Sequence, residues 1–449
     1  MRKNSIAFGG GAYGDEGKGR IVDEYAAILS KKHKMVIYRD NGGSNAGHTV
    51  EVPGKAKIAL HQLPSGVFIK GAYVILGKGM VINPADLLEE IRQVKKVNSN
   101  KLDVTMLIDE MAVLTLDTHR AFEGVLKKYQ EGGKGSTGRG ISPAYADVLL
   151  RHPLRARDLK PFNKEKILSH YRMYKDLIKG LGEDMEKWEV KTLGGSGTST
   201  VGSEKVFVDR LIKQSKELKK YISDVSEFLK TSWNSKSYAF IFEKAQAVGL
   251  DPRYGVYPDV TASDTTFGGI ESSTEGLINP MDIEIRASVI KATYMSSVGT
   301  RKLPSMMPED LANRIREDAN EYGATTKRPR DIAFLDLVAT DFFRKVGKAT
   351  HMVLTHMDIV YKDTPIKVCI GYTLRGKKVT YRPDQEFLNK VKPVYKEFKT
   401  WDKVKVQKAK KYQDLPKEAK DFLSYISKYL VVPILMITTG PKREQGIRF

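Results

Sequence analysis

Cysteine is almost absent from this chain: Cys369 is the only one in 449 residues. An intrachain disulfide and a thiolate metal cluster are therefore excluded, and a reducing compartment fits. Long apolar runs are missing too. A run such as Leu430 to Ile437, with Pro433 inside it, falls far short of the roughly 20 residues of a bilayer-spanning helix. Met1-Arg2-Lys3 leads directly into an apparent strand, without the apolar stretch and cleavage site of a signal peptide. A cytosolic location and no membrane partner are expected. Zinc-finger spacing, an RNP-type sequence and a basic region joined to heptads are all lacking, so nucleic acid is not an expected partner. Internal repeats and a convincing domain linker are also missing.

What is present is the profile of a folded globular protein, with 41% hydrophobic residues, 29% charged residues and 38 glycines. Lys and Arg number 75 against 54 Asp and Glu, a formal charge of +21. Such a field attracts polyanions, nucleotides among them.

The chain opens as strand, glycine loop, helix. Ser5-Ile6-Ala7-Phe8 reads as a strand, and Ile21, Val22, Tyr25, Ala26 and Leu29 recur at helical spacing after the glycines. A second strand, Met35 to Tyr38, runs into Asn41-Gly42-Gly43. A third, Tyr73 to Leu76, precedes a helix with Asn83 as N-cap and Pro84 at its first position. Further strands are expected at Val104 to Ile108, Tyr238 to Phe242, Met352 to Leu354 and Ile434 to Ile437. Gly194 to Thr200 reads as a flexible connection, Val206 to Leu229 as an amphipathic helix, and Lys403 to Lys411 as a solvated face. The alternation predicts an α/β fold with a parallel sheet, whose sites gather at the carboxyl ends of strands.

The loop Gly14-Asp15-Glu16-Gly17-Lys18-Gly19 is not a Walker A motif, which needs Gly at position 12 and Ser or Thr at position 19, where this chain has Ala12 and Gly19. It is still a strand-to-helix turn with backbone N–H groups to surround phosphate, Lys18 as a point charge, and Asp15 where a base or metal ligand would sit. Asn45-Ala46-Gly47-His48-Thr49 places a histidine in a polar, glycine-rich loop rather than on an apolar face. Gly135 to Tyr145 concentrates hydroxyls and Arg139 among glycines, as a phosphate-binding loop does.

These three elements together resemble the adenylosuccinate synthetase family. The likeness continues in order through Phe242-Glu243-Lys244-Ala245-Gln246, Tyr257 to Thr261, Gly323 to Arg330, Leu354 to Asp358 and Thr439-Gly440-Pro441. The resemblance implies one domain over 1–449: a large α/β unit around a mostly parallel central sheet flanked by helices, with helical subdomains. It also implies a homodimeric enzyme that joins IMP and L-aspartate at the expense of GTP, with Mg²⁺. In that chemistry the purine 6-oxygen is first phosphorylated and the aspartate amine then expels phosphate.

Carried over residue by residue, Asp15 removes the purine N1 proton and ligates Mg²⁺, with the Gly47 carbonyl as a second ligand. His48 supports phosphoryl transfer as acid or hydrogen-bond donor, and Lys18 offsets developing charge. Asn45, Thr137, Gln246, Thr261 and Arg328 match the substrate-nucleotide pocket, and Arg151 matches an arginine given to the neighbouring subunit's IMP phosphate. Thr326, Arg328 and Arg330 match the loop that closes over aspartate. Gly14, Glu16, Gly17, Gly19, Thr49, Arg330, His356, Asp358, Thr438 and Gly440 are expected on the GTP side, Asp358 selecting guanine. A viral branch acting on dGMP typically carries serine in place of the loop aspartate, so Asp15 favours IMP; the altered loops leave a non-standard purine nucleotide such as dGMP, or a different amino acid, as the alternative. A catalytically dead, nucleotide- or nucleic-acid-binding relative would be expected to lose Asp15, His48 or Lys18, and all three are present. The chain departs from the family pattern at Lys244 and Lys327, both in place of Gly. Arg253, Asp331, Ser297 in place of Arg and His356 in place of Lys are further departures.

Overall fold

A computed structural model describes residues 2–51, 57–129, 137–193, 197–297, 299–323 and 328–449. Ten of its strands form one sheet: β1 (Arg2–Gly10), β2 (Lys34–Arg39), β3 (Tyr73–Leu76), β4 (Thr105–Asp109), β5 (Ile222–Ser223), β6 (Tyr238–Ala247), β7 (Ile283–Lys291), β8 (His351–Thr355), β9 (Ile434–Thr438) and β10 (Gly446–Arg448). Their order across the sheet is β5-β4-β3-β2-β6-β1-β7-β8-β9-β10. Every neighbouring pair is parallel except the last, where β10 returns antiparallel to β9. The mostly parallel sheet read from the alternation of elements is thus the framework of the molecule.

The strands are apolar on both faces, as sheets covered by helices require. Ile6 and Phe8 enter one apolar cluster while Ala7 between them enters another. Met352 and Leu354 likewise face away from Val353. The first cluster is completed by helices Pro84–Val97, Asp117–Leu126, Lys164–Gly180 and Glu204–Leu218. A second, five-stranded sheet contains Tyr294–Ser297, Asp331–Asp336 and Ile366–Leu374. Helices Leu337–Val346 and Lys417–Leu430 pack in the cluster it shares with β8 and β9.

Several local expectations hold at the level of atoms. Asn83 caps its helix by accepting from the Asp86 N–H at 3.0 Å, with Pro84 at the first position. Others are corrected. The helix expected from Val206 to Leu229 is two helices, Glu204–Leu218 and Val225–Trp233. Between them Ile222 and Ser223 pair with Ile108 and Asp109, and Asp224 caps the second helix through the Ser226 N–H. Of the connection Gly194 to Thr200, residues 194–196 lie outside the described residues, while Thr198–Thr200 is a strand antiparallel to Glu189–Lys191. Among the described residues no helix is long and apolar enough to cross a membrane.

The parallel arrangement aims the carboxyl ends of β1, β2, β6, β7, β8 and β9 the same way. The ends of these strands and the segments leaving them carry the loop at 11–17, residues 40–48, Gln246 near the end of β6, residues 292–297, residues 356–358 and Gly440. With β1 in the middle of the order and the chain running to either side of it, this edge is where such sheets place ligands.

Candidate active site

Helix α1 (Lys18–Leu29) starts immediately after the glycine loop. Asp15 sits in the left-handed region (φ 58°), flanked by Gly14 (φ 100°) and Gly17 (φ 86°). Aspartate tolerates that conformation better than most side chains. Glu16 holds the turn from inside: its carboxylate accepts from the Gly14 N–H (2.7 Å) and the Ala12 N–H (3.3 Å) and pairs with Lys18 Nζ (2.8 Å). Buried and so occupied, Glu16 shapes the loop rather than facing a ligand. At Gly19 a Cβ would stand 2.9 Å from His48 Cβ. The first turn of α1 therefore packs against the histidine, and the hydroxyl residue of a Walker A motif has no room there.

His48 is buried, and its Nδ1 bonds to Glu243 on β6. Glu243 also accepts from the Ser65 N–H at 2.7 Å and from the Ser65 hydroxyl. Burial lowers the proton affinity of His48 and outweighs the pull of Glu243. Burial pushes the Glu243 carboxyl upward, but His48, Arg39 and Ser65 together hold it below its ordinary value. The pair is a neutral imidazole donating Nδ1–H to a carboxylate, which leaves the Nε2 lone pair on the cavity side. Glu243 had been visible only as one letter of a motif, because its partner is 195 residues away in sequence.

Asp15 meets Arg330 at 2.6 Å, and Arg330 reaches Glu321 at 2.6 Å with its other nitrogen. Glu321 also pairs with Lys291 and accepts from the Tyr294 hydroxyl at 2.6 Å, and that hydroxyl lies 2.6 Å from His356 Nδ1. Neither Glu321 nor Tyr294 carried any signal of its own in the sequence.

These groups surround a cavity of about 1190 Å³. Gly14, Asp15, Gly17, Lys18, Gly19, Asn45, Gly47, His48, Thr49, Thr137, Gln246, Thr261, Arg330 and His356 all line it. Two of them present buried polar atoms without a partner among the described residues, Gln246 Nε2 and Thr261 Oγ1. Both orphans point to a polar ligand. Asp358 is buried beside the cavity and accepts from Gln407 Nε2 at 3.2 Å. The Thr438 hydroxyl accepts from the His356 N–H at 3.1 Å, and the Gly440 carbonyl accepts from Arg20. Arg328 is exposed next to Arg330, and Thr326 lies outside the described residues. Arg151 is exposed in a left-handed conformation (φ 68°) and does not line the cavity, although Leu149 two residues earlier does. Arg139, expected in a phosphate loop, is instead buried: it donates to the Lys191 carbonyl at 3.1 Å and lies 3.8 Å from Asp86.

The departures from the family pattern have local partners. Lys244 is fully buried against Asp40, itself fully buried, and so turns away from the cavity. Arg301 donates to Ser297 Oγ at 2.6 Å, lies over the Tyr13 ring and bonds to the Asp259 carbonyl, which returns a guanidinium to that neighbourhood. Arg253 faces Asp264 at 3.6 Å, and Asp331 faces Lys302 at 3.9 Å. Lys327 lies outside the described residues.

A second cluster, His119, Asp147 and His170, brings candidate metal-ligand atoms within 4.8 Å of one another. The Leu116 N–H donates to His119 Nδ1 (2.9 Å), so Nε2 carries the proton and donates to Asp147 (3.0 Å), whose other oxygen takes the Tyr174 hydroxyl (2.7 Å). That tautomer makes the cluster a hydrogen-bonded tie between helices and not an oxygen-rich Mg²⁺ site.

A glycine-rich phosphate loop, a histidine–carboxylate pair and a loop aspartate at the carboxyl edge of a parallel sheet define a nucleotide-using enzyme. The family model for adenylosuccinate synthetase matches residues 8–447. The adenylosuccinate synthetase of Clostridium botulinum (strain Eklund 17B / Type B) is 36% identical over 445 residues, spanning 98% of this chain and 97% of its own. The solved structure of a fully ligated adenylosuccinate synthetase from Plasmodium falciparum superposes with a TM-score of 0.86 at 30% identity, covering 99% of this chain and 100% of that one. A succinoaminodeoxyadenylate synthetase of cyanophage S-2L, bound to dGMP and dATP, shares the fold at a TM-score of 0.57 and 17% identity, over 100% of this chain and 96% of that one. The chain belongs to the adenylosuccinate synthetase family, and its activity is the GTP-dependent ligation of L-aspartate to IMP.

Proposed function

We propose that the cavity at the carboxyl ends of β1, β2, β6 and β8 carries out both half-reactions with Asp15 and His48 as the catalytic residues. The observation that carries this reading is the convergence of Asp15, Lys18 and His48 on one cavity with the orphaned amide of Gln246 and hydroxyl of Thr261. The purine nucleotide lies against Asn45, Thr137, Gln246, Thr261 and Arg328. GTP lies along the loop amides, Lys18 and Thr49 toward His356, Asp358, Thr438 and Gly440. Aspartate is taken by Thr326, Arg328 and Arg330.

Asp15 takes the N1 proton of IMP, and the electron pair released makes the 6-oxygen nucleophilic. That oxygen attacks the γ-phosphorus of GTP, the bond to the bridging oxygen breaks, and GDP leaves. Lys18 and the loop N–H groups take up charge on the transferring group. The neutral His48 found here binds a proton when phosphate charge arrives beside its Nε2. The resulting imidazolium, held by Glu243, donates to the phosphate oxygens. In the second half the aspartate amine attacks C6 and inorganic phosphate departs.

Mg²⁺ fits the donor set, because Asp15, with its half-exposed carboxylate, and Gly47 line the same cavity and would hold it through oxygen. Mg²⁺ commonly takes one or two protein oxygens and completes its shell with phosphates and water. When bound, it would supply positive charge to the nucleotide phosphates. The proposal extends to a homodimer: exposed Leu150 (66%) adjoins Arg151, a cation that does not line its own cavity although Leu149 just before them does. A cytoplasmic location accompanies this reading.

The test is phosphate release by purified protein with Mg²⁺ and GTP across IMP, dGMP and XMP, each with and without aspartate. Turnover confined to IMP with aspartate is expected. Absence of turnover with every purine refutes the site, and turnover with dGMP but not IMP refutes the substrate assignment.

A further inference from the structure

Glu321 is 1% exposed, and its two oxygens take different partners. Oε2 accepts from Arg330 Nη1, whose other amino group holds Asp15. Oε1 accepts from Lys291 Nζ and from the Tyr294 hydroxyl, both buried. Burial pushes the Glu321 carboxyl upward, but Lys291 and Arg330 outweigh it and hold the group ionised far below the ordinary range. A tyrosine hydroxyl has one hydrogen, and an ionised carboxylate claims it. The same oxygen, 2.6 Å from His356 Nδ1, therefore accepts, and Nδ1 must carry the ring proton. His356 is left as a neutral imidazole with an Nε2 lone pair. His356 lines the cavity, and its hydrogen bonds to Tyr294 and Thr438 are made through Nδ1 and the backbone N–H, which leaves Nε2 for a ligand.

We infer that Glu321 and Tyr294 are positioning residues of the reaction: one carboxylate orients Asp15 through Arg330 and, through Tyr294, fixes the ring plane and tautomer of His356, which offers a neutral face and an acceptor to the base of the phosphoryl donor. This rests on the proposed placement of GTP. Where the family carries a lysine, the base here meets an imidazole that cannot donate from Nε2. The positive charge stands one side chain further back, at Lys291, whose Nζ lies 5.2 Å from the Tyr294 ring centre. The two ends of the relay belong to different subsites, so the two substitutions have different signatures. Tyr294→Phe keeps the ring and cuts the link to His356 alone. Glu321→Gln weakens both links.

The test combines ¹⁵N NMR of histidine-labelled protein with steady-state kinetics, the His356 resonance being assigned by its loss in His356→Asn. Wild type is expected to show protonated Nδ1 and unprotonated Nε2, and Tyr294→Phe a shift toward the other tautomer. Losing one hydrogen bond of this kind predicts a rise of roughly five- to tenfold in KM for GTP in Tyr294→Phe, with a smaller change in KM for IMP. Glu321→Gln is expected to raise both KM values and to lower kcat. A protonated Nε2 in wild type, or a Tyr294→Phe variant with unchanged KM for GTP, overturns the inference. If Glu321→Gln does not fold, the wild-type tautomer and the Tyr294→Phe kinetics still decide it. The NMR readout does not require turnover, so failure of the proposed reaction and failure of this relay are separable.

Discussion

Replacing Lys244 by methionine removes one member of an ion pair whose two side chains are both 0% exposed. At a separation of about 3 Å and an effective dielectric constant of about 20, the attraction between unit charges is on the order of 5 kcal/mol. Measured losses on breaking buried pairs run about 3–5 kcal/mol, because the survivor stays buried and unpaired. The survivor here is Asp40, whose carboxyl is already raised by burial even with Lys244 as its chief opposing influence. In Lys244→Met it rises further. A carboxyl with a raised folded-state pKa contributes stability that is present below its unfolded pKa and lost as pH rises through the folded one. The deficit of the variant is therefore expected to be small in mild acid and to reach about 3–5 kcal/mol near neutral pH. Urea unfolding followed by fluorescence at several pH values measures it. The double variant Asp40→Leu, Lys244→Met is expected to recover most of the loss, since apolar replacement of a buried pair is often neutral or better. A loss below about 1 kcal/mol in the single variant, or simple additivity in the double one, refutes the argument.

Asp15→Ala is expected to lower kcat by roughly 10²- to 10⁴-fold while GTP still binds in equilibrium titration; near-normal turnover would remove Asp15 from the role of base. Glu243→Gln is expected to lower kcat by at least about 10²-fold, because His48 loses the anion that steadies its protonated form. The same proton is visible without catalysis: calorimetry of GTP binding in buffers of different ionisation enthalpy is expected to show proton uptake by wild type near pH 7.5 and less by Glu243→Gln. Equal uptake by both, or none by wild type, contradicts the assignment. Arg151→Leu is expected to raise KM for the purine nucleotide, and kinetics identical to wild type would leave the shared-site dimer without support.

Local signals in the sequence succeeded where a residue's partners are near it in the chain. Asn83 and Pro84 mark their helix, and the glycines around Asp15 mark a phosphate turn, because both depend on backbone conformations a few residues long. Strand β7 escaped notice because Glu284, Arg286 and Ser288 break its apolar pattern. Arg286 is nevertheless buried, with its guanidinium donating to the Pro280, Ile283 and Lys348 carbonyls, a solution that only the folded chain displays. In the same way the split of the helix expected from Val206 depends on Ile222 finding Ile108, more than a hundred residues earlier. At the site, motif likeness located the groups that line the cavity. It did not show that Glu16 and Arg139 turn inward, nor that Glu243 and Glu321 stand behind the histidines, because those facts concern side-chain direction and long-range pairing.

Among the described residues, the positions that depart from the family pattern share one physical feature: each meets a compensating neighbour that arrives with the fold. A lysine in place of glycine at 244 would place an unpaired charge among buried strands, and Asp40, immediately after the adjacent β2, neutralises it. Serine at 297 lacks a guanidinium, and Arg301 four residues on brings one to its hydroxyl. Histidine at 356 lacks a fixed charge, and Lys291 stands behind Tyr294 in the same connected set of hydrogen bonds. Charge near the cavity is thus redistributed and not lost. Since catalysis of phosphoryl transfer depends on the field at the transferring group more than on which residue supplies it, the chemistry of the family tolerates these exchanges. The consequence is non-additivity: restoring Gly at 244 or Lys at 356 singly is expected to harm this protein, because its neighbours are tuned to the residues it has.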